Sequence, residues 1–370
     1  MAPGVRRGRG GDGVGSTGTV SAADASATGE RRSASDAAGI AVLAACAVWS
    51  LITAGTHDGR PEGVLLAVLA VAAGYASGRI LGVLLPVAAP CAGALTGLGL
   101  AVATPGPQIS LQLGHTGATA ALLALSAGAA CCAAWAARTP ALRLALRLLA
   151  VVIAVTAAVL GSITGLVACA GVLLCSLAAA RVRRRALGLA GFAVTAVLVA
   201  GGAWAIGEDA LPEGPTASLE GQLTRHRILL WHDALRMVRA DPLLGVGPGR
   251  YGELSPTVAQ SLLPDGKPHS APLQQAAEQG VIGALLLAAA FCWMLYALSR
   301  SPRSTPVALT TGAALTALAV IASIGNALSF MTVTAGAGLL AGLATARPLN
   351  AEEPEHAAMG LPRPPDELTP

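Results

Sequence analysis

Ten apolar runs, each roughly 17–27 residues long, constrain this 370-residue chain more than any other feature. They cover approximately residues 37–54, 62–78, 80–103, 115–137, 141–160, 162–180, 187–206, 272–298, 305–323 and 326–346. A helix rises about 1.5 Å per residue, so about 20 apolar residues cross the roughly 30 Å hydrocarbon layer of a bilayer. Lipid offers no hydrogen bonds to the backbone, so runs of this length must pair their own amides as helices. The expected fold is all-α: a polytopic membrane protein with about ten transmembrane helices. The weakest junction is Gly161-Ser162, which reads either as a break between two short helices or as a kink in one. Composition agrees. Charged residues make up 12% of the chain, against about 25% in an average soluble domain. Ala and Gly abound, and small residues let helices approach closely in lipid, although the same bias fits a high-GC genome.

Charge sets the expected orientation. Seven of the 24 Lys and Arg residues (Arg60, Arg225, Arg227, Arg236, Arg239, Arg250 and Lys267) fall on one side if the N-terminus is inside. The rest fall on the other. Six of those seven lie in one long loop, and long loops largely escape the positive-inside rule. The expected organisation is therefore a disordered cytoplasmic tail over 1–36, transmembrane helices 1–7 over 37–206, an extracytoplasmic loop over 207–271, helices 8–10 over 272–346, and a second disordered cytoplasmic tail over 347–370. Both tails are polar or rich in Gly, Ser and Pro and show no apolar period.

Several functions are disfavoured. The net charge of +4 is spread over short loops as membrane topology requires, which argues against a nucleic-acid partner. The seven cysteines (46, 91, 131, 132, 169, 175 and 292) all lie in apolar stretches. They read as small core residues rather than as disulfides or metal ligands. Ionisable residues inside spans mark transport pathways, and here they are nearly absent. Arg79, Arg143 and Arg147 fall at expected helix ends, where snorkelling accounts for them, and His115 opens the fourth run.

Chemistry concentrates in the long loop. Ile228, Trp231, Leu235 and Val238 step by 3, 4 and 3, the period of an amphipathic helix. Thr224 is its expected N-cap, and Pro242 sets its end. Such a helix would lie on the outer leaflet with its apolar stripe inward. Arg225 and Arg227 fall in its first turn, where backbone N–H groups already attract anions. They are either an anion site or simple contacts to lipid headgroups. Gly245-Val246-Gly247-Pro248-Gly249 has no preceding strand and no following Lys-Ser/Thr, so it reads as a tight turn rather than a nucleotide loop. His269 precedes an apolar helix that carries Gln274, Gln275 and Glu278. It is either inert surface or a group poised at the membrane edge.

As a composite, these residues resemble the O-antigen ligase and polymerase superfamily. The match runs closely over about 222–290. It comprises Arg227-x-x-x-Trp231, Asp241-Pro242-Leu243-Leu244-Gly245-Val246-Gly247-Pro248-Gly249, then His269, Leu273-Gln274, Glu278-x-Gly280 and Gly283. The resemblance implies a metal-independent glycosyltransferase with no cofactor. It would take a glycan from a polyprenyl-diphosphate carrier and join it to an acceptor hydroxyl at the outer face of the plasma membrane. By the same resemblance, Arg227 would bind the diphosphate, assisted by Arg225, and His269 would be the general base. Arg250, Gly247, Gln274 and Glu278 would be further substrate contacts, with Glu278 either orienting His269 or binding the acceptor.

The chain departs from the family pattern in one respect. Many members carry another Arg in a Ser-Arg-Gly-like stretch, where this chain has Ser162-Ile163-Thr164-Gly165. A second diphosphate contact would then come from Arg225 or Arg250. The alternative expectation is a non-catalytic membrane protein that binds lipid-linked glycan or scaffolds envelope assembly.

Overall fold

The computed structural model describes residues 17–103, 112–182, 184–208, 225–260 and 266–347. The helices are α1 (Thr17–His57), α2 (Glu62–Leu84), α3 (Ala88–Ala103), α4 (Gln112–Ala136), α5 (Pro140–Val159), α6 (Ile163–Ala179) and α7 (Arg185–Gly207). Beyond the long loop's first part follow α8 (Arg225–Ala240), two single turns α9 (Tyr251–Leu254) and α10 (Pro256–Ala259), then α11 (Ala271–Ser299), α12 (Thr305–Ser323) and α13 (Met331–Thr345). Among the described residues, seven helices are long and apolar enough to cross a membrane: α1 from Ala34, α2, α4 from Gly117, α5, α7, α11 and α12. The apolar helices α3, α6 and α13 are shorter.

Residue size inside the bundle is the reverse of that in a soluble core. α4 and α12 are its most enclosed helices, and they bury mainly Ala, Gly, Ser and Thr with a few Leu. Large aliphatic residues such as Val159, Ile163 and Leu198 point outward. Lipid solvates Leu as well as a protein interior does, so close backbone contact drives association instead. The clearest case is α2 against α13. Gly74, Gly78 and Gly82 repeat every four residues along one face of α2 and pack against the backbone of α13 at Ala335, Leu339 and Leu343, while Gly342 of α13 meets Gly78. A Cβ at Gly78 would overlap the carbonyl of Leu339, and one at Gly338 would overlap that of Val71.

Arginines close one end of the bundle. Arg303 donates to the carbonyls of Gly82 (2.5 Å) and Ala346 (3.0 Å), at the C-terminal ends of α2 and α13. Arg185 donates to Ser301 (2.9 Å), just past the end of α11. Carbonyls at helix C-termini lack intrahelical partners and carry partial negative charge, which guanidinium groups complement.

Two local expectations change, and one open junction is settled. Helix begins at Thr17, inside the segment read as a disordered tail, because an Ala-rich stretch with helix-favouring residues continues the first span backwards. The junction expected at Arg79 lies instead at Leu85-Pro86-Val87, between α2 and α3. Arg79 stays helical because its charge is met by Asp36 of α1 at 2.5 Å rather than by headgroups, while Pro86 interrupts the amide ladder. The stretch at Gly161 resolves into two helices. Gly161 adopts φ +72°, and the Ser162 hydroxyl accepts the Gly165 N–H at 3.1 Å to start α6. Most of the tails and Thr224 lie outside the described residues.

Candidate functional site

α8 is the amphipathic helix its spacing foretells, but protein rather than lipid covers its stripe. Leu230, Trp231, Ala234, Leu235 and Val238 are buried, packed with Ala203 of α7 and Leu273, Ala276 and Ala277 of α11. Burying each large side chain contributes on the order of 1.5–3 kcal/mol, enough to fix the helix on the bundle.

Polar contacts then lock it. The Tyr251 hydroxyl donates to the Leu230 carbonyl at 2.7 Å. Asp233, a buried carboxylate on α8, accepts from the Ser255 hydroxyl (2.6 Å), the Thr257 N–H (3.1 Å) and Arg236. Burial pushes its pKa up, yet these donors outweigh that and hold it below the usual value.

The glycine-rich segment after α8 solves a backbone problem in α11. Gly280 interrupts that helix with φ +68° and ψ −174°, so carbonyls preceding the kink lose their usual amide partners. The loop supplies replacements. Val246 N–H donates to the Ala277 carbonyl and Gly247 N–H to the Glu278 carbonyl, each at 2.9 Å. In return, the Val281 N–H donates to the Pro242 carbonyl at 2.9 Å. Gly245 and Gly247 hold φ of +69° and +96° to make this approach. The segment's other side rests on the α1–α2 turn, where Arg60 N–H donates to the Pro248 carbonyl at 2.7 Å.

The expected site residues distribute around this frame. His269 is buried and has φ +54°, a left-handed conformation uncommon outside glycine. The Trp231 indole N–H donates at 2.9 Å to the carbonyl of Pro268, the residue before it. Glu278 is buried, and its carboxylate accepts from the Gln274 amide at 3.2 Å. The backbone N–H groups of Gly249 and Tyr251 and the Lys267 ammonium also face it. Gly247 lies against the kink itself. Arg227 is half-buried on α8, one turn before Trp231, and the side chain of Arg225 lies outside the described residues. Arg250 donates to the carbonyl of His57 at 2.5 Å, closing the end of α1, and pairs with Glu253 at 3.8 Å. The structure thus gathers Gly247, Lys267, Gln274 and Glu278 at the start of α11.

Sequence reasoning missed Asp233 as a clamp, although a carboxylate among the apolar residues of α8, three before Arg236, was a local signal for it. Trp231 and Gly280 belong to the motif quoted above, but the indole donor and the helix kink that they supply were not read from it. Among the described residues, no three His, Cys, Asp or Glu side chains group as metal ligands would.

A bundle of apolar helices carrying a buried polar site on a docked loop defines a multi-pass helical membrane protein. The family model described as O-antigen ligase matches residues 148–288, from within α5 to within α11. Over these residues the chain is similar to the O-antigen ligase family, and the match encloses the whole docked loop. No curated protein and no solved structure matches the chain.

Proposed function

We propose that this protein is an inverting, metal-independent glycosyltransferase of the ligase or polymerase type. It moves a glycan from a polyprenyl-diphosphate carrier to an acceptor hydroxyl in cell-surface polysaccharide synthesis. The observation that carries this reading is that the O-antigen ligase match over 148–288 spans Arg227, His269 and Glu278 together with the frame that holds them. In this reading the loop faces the cell exterior, both termini are cytoplasmic, and all ten apolar helices cross or enter the bilayer.

The residues divide the reaction as follows. Arg227, with Arg225, binds the donor diphosphate through paired N–H donors and neutralises the charge that grows as it leaves. His269 takes the proton of the acceptor hydroxyl. The acceptor oxygen bonds to the anomeric carbon from the face opposite the leaving group. The bond from that carbon to the diphosphate oxygen breaks, and polyprenyl diphosphate departs with the electron pair. Glu278, held by Gln274, lines the acceptor side, and Gly247 keeps the loop backbone close to it. Arg250 supports the site from the end of α1.

Purified protein in liposomes, supplied with a polyprenyl-diphosphate-linked oligosaccharide and an acceptor glycan, tests the reading. Arg227→Ala should lower transfer by about 10²–10³-fold, and His269→Ala by about 10²–10⁴-fold. Transfer that survives both changes at normal protein level would overturn it. The Ser162–Gly165 stretch favours the second reading, a non-catalytic protein binding lipid-linked glycan, because Ser162 there serves to cap α6 and no arginine is present. Donor binding without any transfer by the parent chain would establish that reading instead.

A further inference from the structure

We infer that Trp231 is the positioning residue for His269, and that it ties His269 to the helix that carries Arg227. This inference rests on the proposed function for its kinetic consequence, although the contact itself does not. Trp231 is fully buried, and its single polar atom is spent on one bond, from the indole N–H to the Pro268 carbonyl at 2.9 Å. Pro268 offers no N–H of its own, so the chain entering His269 has few ways to be held. His269 follows at φ +54°, a conformation disfavoured for a non-glycine residue that persists only where surroundings enforce it. The Trp231 bond is one such restraint, on the peptide unit directly before the strained residue.

Arg227 lies four residues before Trp231 on α8, and residues so spaced share one helix face. α8 itself is anchored separately, by the Tyr251 hydroxyl on Leu230 and by Asp233 on Ser255. The element that presents Arg227 therefore also sets the backbone of His269. A bonded link of this kind keeps an anion-binding group and a base in register, and misplacement of about 1 Å costs on the order of 10²-fold in rate.

Trp231→Phe keeps the buried ring and removes the donor, while Tyr251→Phe loosens the same helix without touching Pro268. Carbethoxylation of His269, followed by mass spectrometry, reports its setting without any need for activity. We expect Trp231→Phe to raise the His269 modification rate several-fold and to lower kcat by about 10- to 100-fold, with KM for the donor little changed. Tyr251→Phe should move both by much less. Trp231→His, which restores a ring N–H, should recover part of kcat. If Trp231→Phe does not accumulate, benzothienylalanine at 231, which puts sulfur in place of the N–H, carries the same test. Unchanged His269 reactivity in the donor-less variant, or an equal change in Tyr251→Phe, overturns the inference. If the parent chain shows no transfer while His269 reactivity still rises in Trp231→Phe, the positioning stands and the proposed function falls.

Discussion

Gly280 of α11 meets the carbonyl of Leu243 so closely that a Cβ on the glycine would overlap it. The contact joins the kinked helix to the loop that repairs its broken hydrogen bonds, and both partners depend on the absence of a side chain. With φ +68° and ψ −174°, Gly280 occupies a region that other residues essentially never adopt.

Gly280→Ala should therefore cost more than the ~1 kcal/mol of an ordinary glycine replacement. The expected outcome is a lower unfolding temperature together with release of the 242–247 segment. Limited proteolysis of that segment, compared with the parent chain, checks it. Equal cleavage in both would sever the proposed link between kink and loop.

Asp233 gives the site an acid limit. Its pKa is depressed in the fold, so its stabilising contribution is complete above the ordinary carboxylate value near 3.8 and is lost as pH falls below it. Asp233→Asn should lower stability at neutral pH, where the charge-assisted bonds from Ser255, Thr257 and Arg236 are replaced by weaker ones. It should also flatten the dependence of unfolding temperature on pH in the acid range. Leaving the buried donors wholly unmatched in Asp233→Ala should cost roughly 1–3 kcal/mol. Parallel acid unfolding curves for parent and Asn variant would count against this role.

Much of this architecture can be read along the chain, because its signals are local. Hydropathy runs announce the apolar helices, and the 228, 231, 235, 238 spacing announces α8 with the correct buried face. What cannot be read is pairing across long separations. Arg79 is an interfacial residue by sequence and an ion-pair partner in the fold because Asp36, 43 residues earlier, arrives beside it. The covering of α8 by protein rather than lipid depends on Leu273, Ala276 and Ala277 of α11. The glycine-rich segment is legible as a turn, whereas its use as a patch for a broken helix requires the kink at Gly280, inside a stretch that reads as one continuous helix.

Arg227→Lys separates charge from geometry at the proposed diphosphate site. A lysine keeps the positive charge but loses the planar fork that grips two oxygens at once. Transfer should drop at least about tenfold while donor binding weakens less, measured by kcat and KM for the lipid-linked donor. A rate equal to the parent's would reduce Arg227 to a generic cation.

Close packing of α2 on α13 predicts a steric effect far from the site. Gly78→Leu would insert a side chain where the Leu339 carbonyl lies. Overpacking of this kind costs typically about 1–3 kcal/mol, visible as a lower unfolding temperature in nanodiscs. Gly99, whose Cβ would meet nothing, is the matched control.

Orientation yields to labelling in intact cells. Ala259 in α10 and Pro302 between α11 and α12 are both exposed. With the loop outside, Ala259→Cys should react with a membrane-impermeant maleimide in whole cells, and Pro302→Cys only after permeabilisation. The parent chain with its seven cysteines sets the background. The reverse pattern would invert the proposed topology.

The bond from Arg250 to the His57 carbonyl spans 193 residues of chain, and this separation orders events during synthesis. The ribosome completes α1 to α7 before the partner that closes α1 exists at all. Until α11 has also emerged, neither the kink nor the segment that repairs it has anything to dock on. The N-terminal helices must therefore wait in the bilayer with one end unfinished. A nascent protein truncated anywhere before α11 would be largely inserted yet have no site.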